Sequence, residues 1–193
     1  MRLLIVTHFS DEFSEDTAKF YEYFLKIVKL PENQISFYAL ETFIRGQKIE
    51  DVFGELVAKD SPLVIYYGGH GARDGWKLSG KYTALYKNIV PVLKGQKKPL
   101  IFLNDCCFGM ALQDYLPQLN CRHLLLGLCP KTLEGYDSLV PATLKCWKES
   151  KPADPKQWVY RRNKLTSFAL QKCADRLRRG ENLDYLCYPR QTR

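Results

Sequence analysis

The sequence predicts an α/β protein, a three-layer α/β/α sandwich built on a mostly parallel sheet of about six strands. Three observations lead there. Short apolar runs alternate with segments whose apolar residues recur at helical spacing, a βαβαβαβ rhythm. Two of the runs, PLVIYYG at 62–68 and KPLIFLN at 98–104, are almost continuously apolar, as expected of strands covered on both faces. The chain has 193 residues and is 46% hydrophobic, enough to build a sizeable core, and reads as one domain over 1–193 with a polar linker at about 149–163.

Taken in order, RLLIV at 2–6 is the first strand. Ser14 caps a helix on which Phe20, Phe24, Ile27 and Val28 share a face. QISFYAL at 34–40 alternates and reads as the second strand. Ile49, Val52, Phe53, Leu56 and Val57 form a second helical stripe, broken by Asp60-Ser61-Pro62. The run at 62–68 is the third strand. KYTALYKNIVPVLKG at 81–95 reads as a helix that Pro91 must kink or end. After the strand at 98–104 come a short helix, GMALQDYL, and a strand, RHLLLGL at 122–128. Ser138 caps a further helix, with Pro141 in its first turn. Beyond the linker, 164–179 is helical and stopped by Gly180, and LDYLCY at 183–188 is a last strand.

Composition narrows the function classes. No apolar run approaches the ~18 residues of a membrane helix. The first residues lack the length and cleavage site of a signal peptide, so a cytoplasmic protein is expected. Seven cysteines with no CxxC pair suggest neither a disulfide framework nor a structural zinc site. No metal and no cofactor is expected. The net charge of +8 gathers late in the chain without a nucleic-acid-binding motif, so nucleic acid is not expected as a partner, nor is a membrane.

The unusual chemistry lies at two strand ends, Gly68-Gly69-His70-Gly71 and Asn104-Asp105-Cys106-Cys107-Phe108-Gly109. In parallel α/β sheets ligands bind at the carboxyl ends of strands. If these two strands are neighbours, His70 and a cysteine share one rim. A cysteine attacks as thiolate, its free pKa is about 8.5, and a nearby imidazole supplies the base or ion-pair partner. The glycines let the backbone approach a substrate and aim N–H groups at an oxyanion. Taken singly, each motif has a plain structural reading: a solvated histidine, or small cysteines filling a core. His8 and His123 have no comparable glycine framing, and His123, opening a strand at the end opposite the site, reads as structural. The remaining cysteines lie on apolar patterns and read as packing residues. A metal set of Cys106, Cys107, Cys121 and His123 matches no common zinc spacing.

VIYYGGHG followed, one helix later, by LIFLNDCCFG resembles the caspase-like cysteine peptidases, the group that includes caspases, metacaspases, paracaspases, legumains and separases. The resemblance extends over most of the chain, although only these two motifs are specific. It implies an endopeptidase with His70 as general acid/base and Cys107 as nucleophile, because the family's cysteine lies two residues after the acid. It implies an oxyanion hole from the N–H groups of Gly71 and Cys107. Asp105 looks like the metacaspase type, in which this acid lines a pocket for Arg or Lys, with Asp11 or Glu12 as a second pocket acid. The implied partners are a protein or peptide substrate with a basic residue at the cleaved position and a regulatory protein, in signalling, defence or cell death. Cys106, where a small residue is usual, and Phe108, where a polar one is, depart from the pattern. For Asp105 the alternative is a cap on the helix starting near Phe108. For the whole chain the alternatives are a catalytically silent scaffold on the same fold, and a nucleotide-binding module, for which the glycine run fits neither common fingerprint.

Overall fold

The structure is a computed structural model that describes residues 1–10, 14–26, 28–127 and 186–187. Asp11 and Glu12, the helices expected after residue 138 and the linker lie outside the described residues. A six-stranded sheet runs in the order β2-β1-β3-β7-β8-β9, with every neighbouring pair parallel. Its strands are β1 (Arg2–Thr7), β2 (Ile35–Tyr38), β3 (Leu63–Gly68), β7 (Leu100–Asp105), β8 (His123–Gly127) and β9 (Leu186–Cys187). The register sets Gly68 opposite Asp105, so the two motif-bearing strand ends are adjacent.

Helices cover both faces. Helix α1 (Ser14–Lys26) lays Phe20, Tyr23 and Phe24 on Leu3, Ile5, Val64, Tyr66 and Leu103. The Phe20 ring stacks on Tyr66 with centroids 4.3 Å apart. The opposite face is closed by α3 (Ile49–Val57) and α4 (Tyr86–Val92), which bury Ile49, Val52, Phe53, Leu56, Ile89 and Val90 against Leu4, Val6, Ile65, Tyr67 and Phe102. Burial of such side chains supplies about 1.5–3 kcal/mol each before the entropy of ordering them. Pro91 sits in the last turn of α4, where the helix tightens into a 3-10 turn at Leu93–Gly95.

Two expectations are corrected. The stretch 81–95 is not one helix: Thr83–Leu85 is strand β6, and it pairs antiparallel with β5 (Gly75–Lys77), which pairs with β4 (His70–Ala72). Three residues on each side complete a small sheet that a helical period does not reveal. The second strand ends at Tyr38, because Leu40–Ile44 turns into the short helix α2. The short helix expected after Cys107 is present, as the 3-10 helix Gly109–Asp114.

Connections from β1 lead to β2 on one side and later to β3 on the other, so the strand order reverses between β1 and β3. That reversal opens a crevice at the carboxyl ends of the strands, the usual ligand position in such sheets. Among the described residues no helix is long and apolar enough to cross a membrane.

Candidate active site

Two consecutive tyrosines of β3 carry the first wall of the site. Alternation sends Tyr67 to the α3/α4 face and Tyr66 to the α1 face. The Tyr67 hydroxyl lies between the carbonyls of His70 (2.6 Å) and Lys77 (2.7 Å), which share its single proton, and its ring stacks on Trp76 with centroids 4.9 Å apart. It pins both strands of the β4–β5 hairpin from below. Burial, then the neighbouring Cys106, pushes the Tyr67 hydroxyl well above its ordinary range, so it remains a donor.

Asn104, fully buried on β7, carries the second wall. It accepts from the Trp76 indole N–H at 3.2 Å and donates to the Gly109 carbonyl at 2.9 Å. Hairpin, strand end and the turn after Cys107 are therefore joined by one amide. Phe108 takes the left-handed conformation, φ 54° and ψ 24°. For a residue with a Cβ that conformation costs roughly 1–2 kcal/mol. It reverses the chain immediately after Cys107, and the Arg73 guanidinium at the hairpin tip lies over the Phe108 ring, 5.8 Å from its centroid.

The glycines around His70 are explained by close approach. A Cβ on Gly71 would lie 1.9 Å from the Cys107 carbonyl oxygen and 3.0 Å from the Cys106 sulfur. A Cβ on Gly69 would lie 2.7 Å from the Tyr67 hydroxyl and 2.8 Å from the His8 Cβ. The Gly69 N–H also donates to the Asp105 carbonyl at 3.2 Å. The His70 and Cys107 motifs are thus in direct backbone contact on one rim.

His70 is exposed, Cys107 is half-buried and Cys106 is only 2% exposed, packed into the α3/α4 core. Of the vicinal pair, Cys107 is the less buried residue. Asp105 is 6% exposed, and its Oδ2 accepts a hydrogen bond from the Tyr66 hydroxyl at 3.3 Å. The N-cap position of the following 3-10 helix is Phe108, in the left-handed conformation and with no side-chain capping bond of its own. Burial, then the Asp105 charge, holds the Tyr66 hydroxyl well above its ordinary range.

His123 opens β8, 7% exposed, with Nδ1 3.0 Å from the Cys121 carbonyl. That end of the sheet is opposite Cys106 and Cys107, so these four residues do not converge. Among the described residues no group of three or more His, Cys, Asp or Glu is placed to hold a metal.

Sequence reasoning passed over His8. It follows β1 directly, its N–H donates to the Gly68 carbonyl at 3.0 Å, and its ring meets His70 edge to face at 5.1 Å. Beside it a cavity of about 360 Å³ opens between α1 and α2, lined among others by His8, Phe9, Tyr21, Phe37, Leu40 and Glu41. Among the described residues, His70, Cys107 and Asp105 do not line it, and His8 borders both the cavity and the site. The signal available in the sequence was position: His8 ends the strand next to the one that ends at His70.

No protein-family model matches the chain, and no curated protein matches it.

Proposed function

We propose that the chain is a cysteine endopeptidase with a His70–Cys107 dyad, acting in the cytosol on protein substrates cut after Arg or Lys. The observation that carries this reading is the rim itself: an exposed histidine and a half-buried cysteine on adjacent parallel strand ends, joined by the Gly71–Cys107 backbone contact, beside the point where the strand order reverses. In this reading His70 takes the thiol proton, and the Cys107 sulfur bonds to the scissile carbonyl carbon. The oxyanion is held by the N–H groups of Gly71 and Cys107. The C–N bond then breaks as His70 returns the proton to the leaving amine. A water, deprotonated by His70, releases the acyl group and regenerates the thiol. Asp105 faces the guanidinium of the substrate.

The test is labelling with a peptide acyloxymethyl ketone carrying Arg at its reactive end, followed by peptide mapping. A peptidase is modified at Cys107 alone, and prior His70→Ala substitution suppresses the labelling. A catalytically silent scaffold leaves Cys107 unmodified at concentrations where a small alkylator still reaches it.

A further inference from the structure

We propose that His8 is a positioning residue for His70: it is locked as a neutral imidazole by Ser10, holds the His70 ring in place, and leaves the positive charge acquired in catalysis to His70 alone. The inference rests on the dyad reading for its catalytic consequence and on geometry for everything else. The Ser10 backbone N–H donates to His8 Nδ1 at 3.1 Å, and the Ser10 hydroxyl oxygen lies 2.7 Å from the same nitrogen. A backbone N–H can only donate, so Nδ1 is the acceptor and the ring proton sits on Nε2. A second ring proton would have to go on Nδ1, against the Ser10 N–H. The neutral imidazole is therefore held in one tautomer, and these contacts favour that form over the imidazolium.

The neighbour at 5.1 Å is His70, with the ring planes 85° apart. Edge-to-face aromatic contacts are favoured by the ring quadrupole and fix relative orientation. Two imidazolium rings at that distance would repel. A neutral His8 removes that conflict and offers its ring to a cationic His70. Gly69 makes the approach possible, because a Cβ there would collide with His8.

Other groups around the pair bear on the same balance. Glu41, exposed at the cavity that His8 lines, favours a charged His8, but solvent screens it. Tyr21 lines the same cavity from α1 and is neutral. On the far side of His70, Lys77 stands opposite it in the hairpin register, and Cys106, Cys107 and Asp105 end the neighbouring strand.

The chain has three histidines, so imidazole NMR of the full-length protein labelled with ¹³C and ¹⁵N at histidine resolves them all once each is assigned by substitution. The expected result is that His8 shows the Nε2–H pattern and that His70 takes up its proton before His8 does. His8→Lys, which sets a fixed cation beside His70, lowers the His70 midpoint by about one pH unit. In turnover of an Arg peptide, His8→Ala lowers kcat about tenfold with little change in KM, and His8→Phe, which keeps an uncharged ring, restores most of it. A His8 that protonates ahead of His70, a His70 midpoint indifferent to His8→Lys, or a Phe variant as poor as Ala overturns the proposal. The NMR arm needs no peptide cleavage. A chain that cleaves nothing but shows the neutral, Ser10-bound His8 therefore refutes the peptidase reading and leaves the positioning pair standing.

Discussion

The Cα of Gly71 lies against the Cys107 carbonyl so closely that a single methyl group placed there would sit 1.9 Å from its oxygen. The obstacle is backbone on a strand end, which cannot swing aside as a side chain can. Gly71→Ala must push the hairpin and the Cys107 turn apart. Overpacking of this kind costs about 1–3 kcal/mol, and a displacement of about 1 Å in a catalytic constellation costs on the order of 100-fold in rate. The expected outcome is a lower urea midpoint by circular dichroism together with a fall of roughly 100-fold or more in kcat/KM. An alanine variant with unaltered midpoint and rate means that the two motifs are not in contact.

Under the dyad proposal, Cys107→Ala is expected to abolish turnover and Cys106→Ala to retain most of it, because Cys106 packs into the α3/α4 core whereas Cys107 is only half-buried. The buried thiol contributes as a small apolar group, so its removal shows as about 1 kcal/mol of stability rather than as a lost reaction. His70→Ala is expected to match Cys107→Ala, with the double variant little worse than either, if the pair acts as a unit. Single-turnover kinetics with a fluorogenic Arg peptide compares the four. Equal loss in Cys106→Ala and Cys107→Ala would place the nucleophile one residue off.

Three tyrosines set an alkaline limit on the fold. Tyr66, Tyr67 and Tyr86 lie in the core, and burial raises each hydroxyl well above its ordinary value near 10. Their neutral forms are favoured in the folded chain, while the unfolded chain ionises them from pH ~10 upward. The unfolded state therefore binds fewer protons above that pH, and stability falls as pH rises. The contribution is complete below pH ~10 and then declines by about 1.4 kcal/mol per pH unit for each tyrosine. Tyrosinate absorbance and circular dichroism followed together should change in one step above pH ~10. Gradual ionisation of all the tyrosines with the fold intact would contradict the burial of these three.

How much of this was legible follows from what each residue's meaning depends on. The runs at 62–68 and 98–104 could be read as central strands because burial on both faces leaves no polar alternation, and once they are neighbours His70 and Cys107 share a rim. The β4–β6 sheet was not legible as such, since three-residue strands have no measurable period. Its cue was Arg73-Asp74, a two-residue turn between Ala72 and Gly75. His8 was overlooked for a different reason. Nothing beside it in the sequence marks it, and its importance comes from Gly69, a distant residue whose missing Cβ lets the two imidazoles meet. Trp76 and Asn104 likewise gain their role only from facing each other across the sheet end.

Specificity for Arg is the most exposed part of the functional proposal, and Asp105 decides it. Its carboxylate is 6% exposed and has the Tyr66 hydroxyl on one oxygen. A substrate guanidinium would add charge-assisted, bidentate bonds to this carboxylate, stronger than the single bond from the neutral phenol. Arg should exceed Lys, because the planar fork fits a carboxylate better than a point charge does. Truncating one partner of such a pair costs about 2–5 kcal/mol, or roughly 30- to several thousand-fold at about 1.4 kcal/mol per factor of ten. Asp105→Asn is therefore expected to lower kcat/KM on Arg peptides by at least about tenfold while leaving Cys107 alkylation by iodoacetamide within about twofold. Tyr66→Phe separates the two roles of the carboxylate. It removes the internal hydrogen bond and should cost about 1–3 kcal/mol of stability, yet keep the preference for Arg. If both variants lose stability and neither alters the order Arg over Lys, Asp105 is only the buried partner of Tyr66 and the basic residue is read elsewhere.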